Sequence, residues 1–329
     1  MINIDINHEK PLFIVGPKRS GTTLVRKVFN AHSKITIPPP SSLYRFFRSD
    51  VYTYGDLNDD KNILELIEDC LNSPSVKAHW GFKVTPNEIL TLLPEKSFRG
   101  IFITLFHLYC KKFGTTIWGE KVPTNVFWLK EIIEDFPQAR LLFIYRDGRD
   151  ASVDQAELSW GPMNIYTASL AWQSHVNAML EAKKFLKPGS YYELFYEKFV
   201  NDPERFTKDA CHHLDIEYEP GMLLYYKQEP EEYMKNASFH QKTTQPITTD
   251  YVGIYKKLSL SDRQLQATLL FDTLQALGYE VEDEKREIDF WEKEHYLEDD
   301  RNGAYYVAAI EYKNLLKKKK LERKSKGVY

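Results

Sequence analysis

Short runs of apolar residues alternate along the chain with longer segments in which apolar side chains recur every three or four positions. The runs at 12–16 (LFIVG), 140–146 (RLLFIYR) and 191–197 (YYELFYE) predict buried strands, because parallel strands covered on both faces are apolar throughout. Strands that alternate with helices predict a parallel sheet with helices on both faces. The periodic segments predict helices from Thr22 onward and at 61–71, 87–93, 98–113, 129–136, 165–186, 202–216 and 259–280.

Breaker and capping residues set the expected limits of several of these elements. Three consecutive prolines make residues 36–42 a loop, since proline interrupts a helix. Pro203 suits the first turn of the helix that it opens. We expect Ser261 to cap the 259–280 helix and Gly278 to end it.

Composition indicates a globular protein. The chain has 329 residues, 43% hydrophobic and 28% charged, with a formal net charge of -3, which argues against a nucleic-acid-binding protein. Three widely spaced cysteines favour a reducing compartment. The longest apolar stretch, 101–110, is about half a membrane span, so we expect a soluble, cytoplasmic protein without a transmembrane segment.

Charge composition changes near residue 281. Acidic residues dominate 282–300 and basic residues dominate 313–326. We therefore expect one domain at 1–280 and a charged, mostly helical extension at 281–329 with a frayed basic tail. The simplest interpretation is a solvated surface helix, and the alternative is contact with a partner, another copy of the chain or an anionic surface.

The segment 16–23 (GPKRSGTT) joins the first predicted strand to the first predicted helix. Backbone N–H groups and the helix dipole converge on an anion at such a junction, and glycines let the backbone curl around it. An ATP-binding loop has a lysine where Thr22 stands, so this loop suits a metal-independent 5'-phosphosulfate better than Mg-ATP. The loop adds cations and hydroxyls at Lys18, Arg19, Ser20, Thr22 and Thr23.

A second candidate anion site follows the predicted strand 140–146. Ligands of open α/β sheets bind at the carboxyl edge, where Arg146 could hold a phosphate through a planar, charge-assisted fork. The alternative is a surface turn in which arginines pair with Asp147 and Asp150. Two anion sites would suit a nucleotide phosphorylated at both ends.

Five segments, in this order along 11–280, resemble those of sulfotransferases of the bacterial and tyrosylprotein types. The resemblance implies a P-loop-like, three-layer α/β/α domain around a central parallel sheet. It also implies 3'-phosphoadenylyl sulfate (PAPS) as co-substrate, the 3',5'-bisphosphate PAP as product, and no metal. The segments are the 5'-phosphosulfate loop at 16–23, WGEKVPTN at 118–125, the 3'-phosphate motif at 141–153, YYELFYEKFVNDPERF at 191–206 and the late loop at 245–259.

Roles follow from the resemblance position by position. Arg146 would hold the 3'-phosphate, and the 252–257 loop would close over the nucleotide. Lys18 and Lys121, with Arg19 sharing the role, would stabilise the charge that develops on the leaving oxygen, as in phosphoryl transfer. The 5' end would be held by Lys18, Arg19, Ser20, Gly21, Thr22 and Thr23.

The chain departs from the family at the general base. Pro40 stands where many members have a glutamate, and Asn125 stands near the place of a histidine used by others. Glu120 is our first substitute, with an ion pair to Lys121 as the structural alternative. The further options are His240, His107 and Asp154.

Two departures concern the nucleotide. The family often has a serine eight residues after the strand-end arginine, where this chain has Asp154, a carboxylate that would repel phosphate. Ser152 is nearby, but two residues rotate a helix by about 200°, so it would need a shifted helix start. In the late loop, Ile254 and Tyr255 replace Arg-Trp, and Tyr255 could still stack.

Three functions remain open from the sequence. The first is a sulfotransferase acting on a hydroxyl of a small metabolite, a glycan or a lipid. The second is a non-catalytic protein of the same fold that binds nucleotide or a partner. The third is a P-loop small-molecule kinase, which would need a Walker lysine where Thr22 stands. The sequence does not identify the acceptor, and a homo-oligomer could form through the C-terminal extension.

Overall fold

A computed structural model describes residues 4–158, 161–228, 243–301 and 307–329. Its centre is a five-stranded sheet in the order β2-β3-β1-β4-β5, and every neighbouring pair is parallel. In the central pairs, Leu12 lies beside both Gly119 and Arg140. The strands are β1 Leu12–Val15, β2 Ile35–Thr36, β3 Ile117–Lys121, β4 Arg140–Tyr145 and β5 Tyr191–Phe195.

Helices and single helical turns cover the sheet and its edges. Among the described residues, shorter helical segments supplement the longer helices: Tyr44–Arg48, Val51–Tyr54, Val76–Trp80, Pro123–Trp128, Pro220–Lys227 and Ile254–Lys257. The longer helices are α1 Thr22–Asn30, α2 Asp60–Leu71, α3 Pro86–Leu92, α4 Phe98–Phe113, α5 Leu129–Asp135, α6 Gly148–Ala156, α7 Ile165–Lys183, α8 Tyr196–Asn201, α9 Pro203–His213, α10 Leu260–Ala276, α11 Phe290–Arg301 and α12 Val307–Ser325.

Alternating side chains of the sheet pack into two separate hydrophobic cores, one on each face. Phe13 and Val15 of β1 enter a core with α2, α4, α7 and α10, whereas Leu12 and Ile14 enter a core with α1, α8 and α9. Successive residues of a strand point to opposite faces, so a strand buried on both faces must be apolar throughout. The predicted three-layer α/β/α fold around a parallel sheet is thus confirmed.

The structure corrects two details of the sequence prediction. The strands β2 and β3 were not predicted, because β2 has two residues and β3 (IWGEK) ends in charged residues. The cap of α10 is Ser259, whose side chain accepts from the Asp262 N–H, so the assignment to Ser261 was wrong. Gly278 follows α10 with a φ of 81°, as expected of a residue that ends a helix.

The C-terminal helices contact the rest of the chain. The Tyr296 ring of α11 stacks on Tyr166 of α7 at 5.2 Å. On α12, Tyr312 and Arg323 are buried, and Arg323 pairs with Glu65 at 2.7 Å. The expected frayed basic end is therefore wrong for α12, which is helical to Ser325. The division of the chain at residue 280 stays a prediction.

Within the described ranges, no helix combines the length and the apolar character needed to cross a lipid bilayer.

Candidate functional site

The loop 16–21 between β1 and α1 holds an uncommon backbone conformation. Gly21 caps α1 with a φ of 88°, and a Cβ there would lie 2.6 Å from the Tyr196 ring, so only glycine fits. Arg19 has a φ of 64° although it is not glycine. Its carbonyl accepts a hydrogen bond from Arg146 Nη1 at 2.7 Å, which stabilises the strained turn.

Several donors converge at this loop. The Ser20 hydroxyl is fully enclosed and has no hydrogen-bond partner among the described residues. Lys121, which pairs with Ile14 across the sheet, extends along the loop and donates to Thr23 Oγ1 at 3.2 Å. The structure thus brings the predicted loop residues and Lys121 together at the carboxyl edge of the sheet.

Arg45 adds a cation that sequence reasoning missed. Burial and then the charge of Arg45 lower the pKa of Lys18, which places the two side chains within electrostatic range of each other. Arg45 belongs to the helical turn Tyr44–Arg48, just after the triple proline. An anion bound beside these two cations would relieve their mutual repulsion.

His175 of α7 is a second residue that the sequence did not single out. Its Nδ1 lies 2.7 Å from the Ala171 carbonyl and must donate to it, so Nε2 carries the lone pair. Nε2 is enclosed and unpartnered within the described part of the chain. Burial, with the Lys18 charge as a smaller cause, lowers the pKa of His175 and keeps the ring neutral. A lone histidine in a long helix gives no sequence signal.

Glu120 faces away from the loop. Its neighbour Lys121 points to the opposite face of β3, so the ion pair considered for these two residues is wrong. The Glu120 carboxylate accepts from the Ser41 hydroxyl at Oε1 and from Asn125 Nδ2 at Oε2, 2.5 Å away. Burial raises the pKa of Glu120 to about 7. Both oxygens are engaged, so this carboxyl fixes the Ser41 and Asn125 segments.

Arg146 forms the centre of the second predicted anion site, but its partners are internal. Besides the Arg19 carbonyl, Nη1 donates to Asp154 Oδ2 at 2.5 Å, and Nη2 donates to the Tyr251 carbonyl at 2.6 Å. Asp154 Oδ1 also lies 3.6 Å from Arg19 Nη2. The guanidinium of Arg146 stacks on the Tyr196 ring at 4.8 Å. The expected repulsive carboxylate is therefore the arginine's ion-pair partner.

The late loop is attached to the same edge through α6. The Asp150 carboxylate accepts from the backbone N–H groups of Gly253 at 2.7 Å and Tyr255 at 3.0 Å. Arg149 pairs with Asp147 at 2.7 Å, as the surface-turn alternative expected, and lies 4.1 Å above the Tyr255 ring. Tyr255 is buried with one ring face covered, and its stacking on a nucleotide stays a prediction.

Two other candidates do not reach the site. Ser152 is fully buried, donates to the Gly148 carbonyl at 2.7 Å and accepts from Gln266, so it has no hydroxyl proton left for a phosphate. His107 is partly buried and contacts Glu9 at 2.9 Å, which favours a structural role. The roles suggested for Ser152 and His107 stay predictions that these contacts disfavour. His240 lies outside the described residues.

The chain is similar in sequence to known proteins. The profile described as the Sulfotransferase family matches residues 11–220. A protein of unassigned function from Aquifex aeolicus (strain VF5) is 25% identical over 229 residues, which cover 67% of this chain and 27% of that protein. A Caenorhabditis briggsae protein named as a candidate protein-tyrosine sulfotransferase is 22% identical over 226 residues, which cover 67% of this chain and 71% of that protein. The match thus spans about a quarter of the Aquifex relative's length.

Two solved structures share the fold. The sulfotransferase domain from the Synechococcus PCC 7002 olefin synthase superposes with a TM-score of 0.55 at 18% identity, over 83% of this chain and 97% of that domain. The sulfotransferase domain from the curacin biosynthetic pathway gives a TM-score of 0.54 at 18% identity, over 83% of this chain and 99% of that domain.

Proposed function

The chain belongs to the Sulfotransferase family, and from that premise we propose that it transfers a sulfuryl group from an activated nucleotide sulfate to a hydroxyl group. The donor that the resemblance implies is PAPS, with PAP as the product and no metal. The observation that carries the proposal is the convergence of Lys18, Lys121 and the unpartnered Ser20 hydroxyl on one loop.

The loop fits the 5' end of such a donor. Gly21 lets the loop backbone pack against the Tyr196 ring, and the first turn of α1 carries no acidic side chain that would repel an anion. The residues assigned to the 5' end are Lys18, Arg19, Ser20, Gly21, Thr22 and Thr23. The bound donor would supply a sulfur–oxygen bond to phosphate that is ready to break.

The lysines act on the charge that develops during transfer. A sulfur–oxygen bond forms to the acceptor as the bond to the nucleotide phosphate breaks, so negative charge grows on the leaving oxygen. Lys121 and Lys18 are assigned to that oxygen, and loss of one such donor typically costs about 10²–10³ in rate. Arg45 would add to the positive potential of the loop.

We assign the general base to His175 in place of Glu120. A base needs an available lone pair, and the enclosed Nε2 of a neutral imidazole offers one, whereas both Glu120 oxygens already accept hydrogen bonds. Glu120 is retained as a positioning residue, since it ties Ser41 and Asn125 together beside the loop.

The acceptor is proposed as a small metabolite, a glycan or a lipid. The half-exposed ring of Phe127 contacts His175 at 4.9 Å, so an apolar surface adjoins the assigned base.

A cytoplasmic location suits the three buried free thiols, Cys70, Cys110 and Cys211. The exposed Phe290 and Trp291 of α11 offer an apolar surface that a homo-oligomer would cover.

Calorimetric titration with PAP, run beside ATP with Mg²⁺, tests the proposal. Metal-independent binding of PAP and none of Mg-ATP is the expected outcome. Binding of Mg-ATP alone would favour the kinase, and binding of neither nucleotide would contradict the sulfotransferase proposal.

The non-catalytic alternative needs a test of turnover. Transfer from labelled PAPS to a panel of hydroxyl compounds should fall about 10²–10³-fold in Lys121→Ala. The exposed Lys130→Ala serves as the matched control. A protein that binds PAP but transfers to no compound would favour the non-catalytic reading.

A further inference from the structure

The 3'-phosphate is the part of PAPS that the structure does not accommodate. Asp154 lies between Arg146 and Arg19, 2.5 Å from Nη1 of the first and 3.6 Å from Nη2 of the second. The resemblance assigns the 3'-phosphate to Arg146, and Asp154 stands where the family often has a serine for the same phosphate. A carboxylate of this chain therefore already pairs with the arginine that is assigned to the anion.

The hydrogen-bonding capacity of Arg146 is directed inward. Both terminal nitrogens donate to protein oxygens, namely Arg19 O, Asp154 Oδ2 and Tyr251 O. The residue is 2% exposed, and its Nε is enclosed without a hydrogen-bond partner among the described residues. One face of the guanidinium is covered by Tyr196. A phosphate could bind this arginine only by displacing contacts that the fold itself provides.

The charges around Arg146 are balanced without a ligand. Asp154 pairs with Arg146 and Arg19, Arg149 pairs with Asp147, and Asp150 holds two backbone N–H groups of the late loop. Three positive and three negative groups cancel, so a dianionic phosphate would add uncompensated negative charge beside Asp154. The cluster consists of Arg19, Arg146, Arg149, Asp147, Asp150 and Asp154.

We propose that Asp154 takes the place of a 3'-phosphate, so that the site prefers a nucleotide sulfate with a free 3'-hydroxyl, adenosine 5'-phosphosulfate. This inference rests on the proposed function and refines its donor. The acceptor oxygen forms the new sulfur–oxygen bond as the bond to the 5'-phosphate oxygen breaks. The acceptor proton goes to His175, and adenosine 5'-monophosphate (AMP) leaves instead of PAP.

Comparison of AMP with PAP by calorimetry, at one ionic strength and without metal, tests the inference on the unmodified protein. We expect PAP to bind no more than about threefold tighter than AMP, because the 3'-phosphate gains no partner. PAP binding ten or more times tighter than AMP would overturn the inference and leave the proposed function intact. It would also direct attention to the exposed Lys256 and Lys257 of the late loop.

Substitution of Asp154 tests whether its negative charge keeps the 3'-phosphate from binding Arg146. Asp154→Ser should raise the affinity for PAP about tenfold or more and leave that for AMP nearly unchanged, because Arg146 regains an unpaired charge. The exposed Asp209→Ser is the matched control and should change neither. Unchanged PAP affinity in a folded Asp154→Ser protein would contradict the inference. Binding of neither nucleotide to the unmodified protein would instead refute the proposed function.

Discussion

Neighbouring residues of one strand can carry different tasks, and Glu120 and Lys121 show this at the scale of single side chains. Lys121 extends to the loop, where it donates to Thr23, and Glu120 is 1% exposed on the other face. Burial raises the pKa of Glu120 from 4.5 to about 7, so the folded protein holds a proton that the unfolded chain releases.

Glu120 should therefore make stability depend on pH. Its folded pKa of about 7 lies above the unfolded value of 4.5, so its stabilising contribution is complete below pH 4.5 and is lost as pH rises through 7. Glu120→Gln removes this loss. The free energy of unfolding of the variant should therefore rise relative to that of the wild type by up to about 1.4 kcal/mol per pH unit. Urea unfolding between pH 5 and pH 8 measures the difference.

Asn125 can keep a hydrogen bond to residue 120 after the Glu120→Gln substitution. Its Oδ1 is enclosed and unpartnered in the described structure, so a flipped amide could accept from the new glutamine. The exposed Glu68→Gln is the control and should show no pH-dependent gain. A free-energy difference that stays constant from pH 5 to pH 8 would show that Glu120 is not the titrating group.

His175 should govern the acid limb of the rate profile. A general base works when deprotonated, and burial lowers the pKa of His175 from 6.5, so turnover should rise with pH below that value and then level off. His175→Gln should lose about 10²–10⁴ in rate and flatten the limb. His107→Gln, which removes the partly buried contact with Glu9, should keep the limb. An unaltered acid limb in His175→Gln would exclude the assignment.

Sequence reasoning found some of these residues and missed others for a physical reason. Lys18 and Lys121 belong to contiguous strings whose context carries information. His175 and Arg45 approach the loop only through the packing of α7 and the turn Tyr44–Arg48, which no local pattern encodes. Asp154 was recognised as an anomaly, but its pairing with Arg146 required the fold.

At the scale of elements, the junction between β1 and α1 depends on the close approach of the α8 helix to the loop. Tyr196 of α8 lies against Gly21 and also covers Arg146, so a single ring packs against both predicted anion sites. The loop and the strand end are thus held in a fixed relation by α8.

Gly21→Ala should abolish this arrangement. The added Cβ would lie 2.6 Å from Tyr196 Cδ2, in addition to the strain of a φ of 88°. We expect nucleotide affinity to fall at least about tenfold. Gly114→Ala is the control, since it has a φ of 68° with no atom near its Cβ position and should lose only about 1 kcal/mol of stability. Equal calorimetric affinities for the two variants would contradict the role of Gly21.

The apolar strands were predictable and the polar one was not. β1 and β4 are buried on both faces, β5 is half-buried at the edge of the sheet, and all three were predicted within one or two residues of their limits. β3 ends in Glu120 and Lys121, whose buried polar contacts override the usual hydrophobic pattern. Buried polar residues at the end of a strand therefore make the strand hard to predict from the hydrophobic pattern.

At the scale of the whole molecule, the basic helix α12 completes the surface around α2. Arg323 is 6% exposed, pairs with Glu65 and lies 3.9 Å above the Tyr54 ring. Lys319 contacts Asp69 at 2.5 Å, and Tyr312 donates to the Asp69 carbonyl. The charge run that predicted a solvated tail therefore has buried partners, which composition alone could not reveal.

Arg323→Ala should destabilise the protein by about 2 kcal/mol, because it leaves hydrogen bonds to charged and polar groups unmade. Lys324→Ala, which changes an exposed neighbour, should cost less than about 0.5 kcal/mol. Urea unfolding of both variants measures the difference. Equal stabilities would mean that the Arg323 contacts add nothing to the stability of the fold.

The contacts of α12 also bear on the order in which the protein is made. Tyr312, Lys319, Lys320 and Arg323 bond to partners 243–270 residues earlier in the chain. During translation, Tyr54 and Asp69 therefore lack their contacts with α12 until that helix has emerged from the ribosome. Since synthesis proceeds at about 5–20 residues per second, this interval lasts on the order of ten seconds or more. The α2 surface thus stays uncovered by α12 for that time.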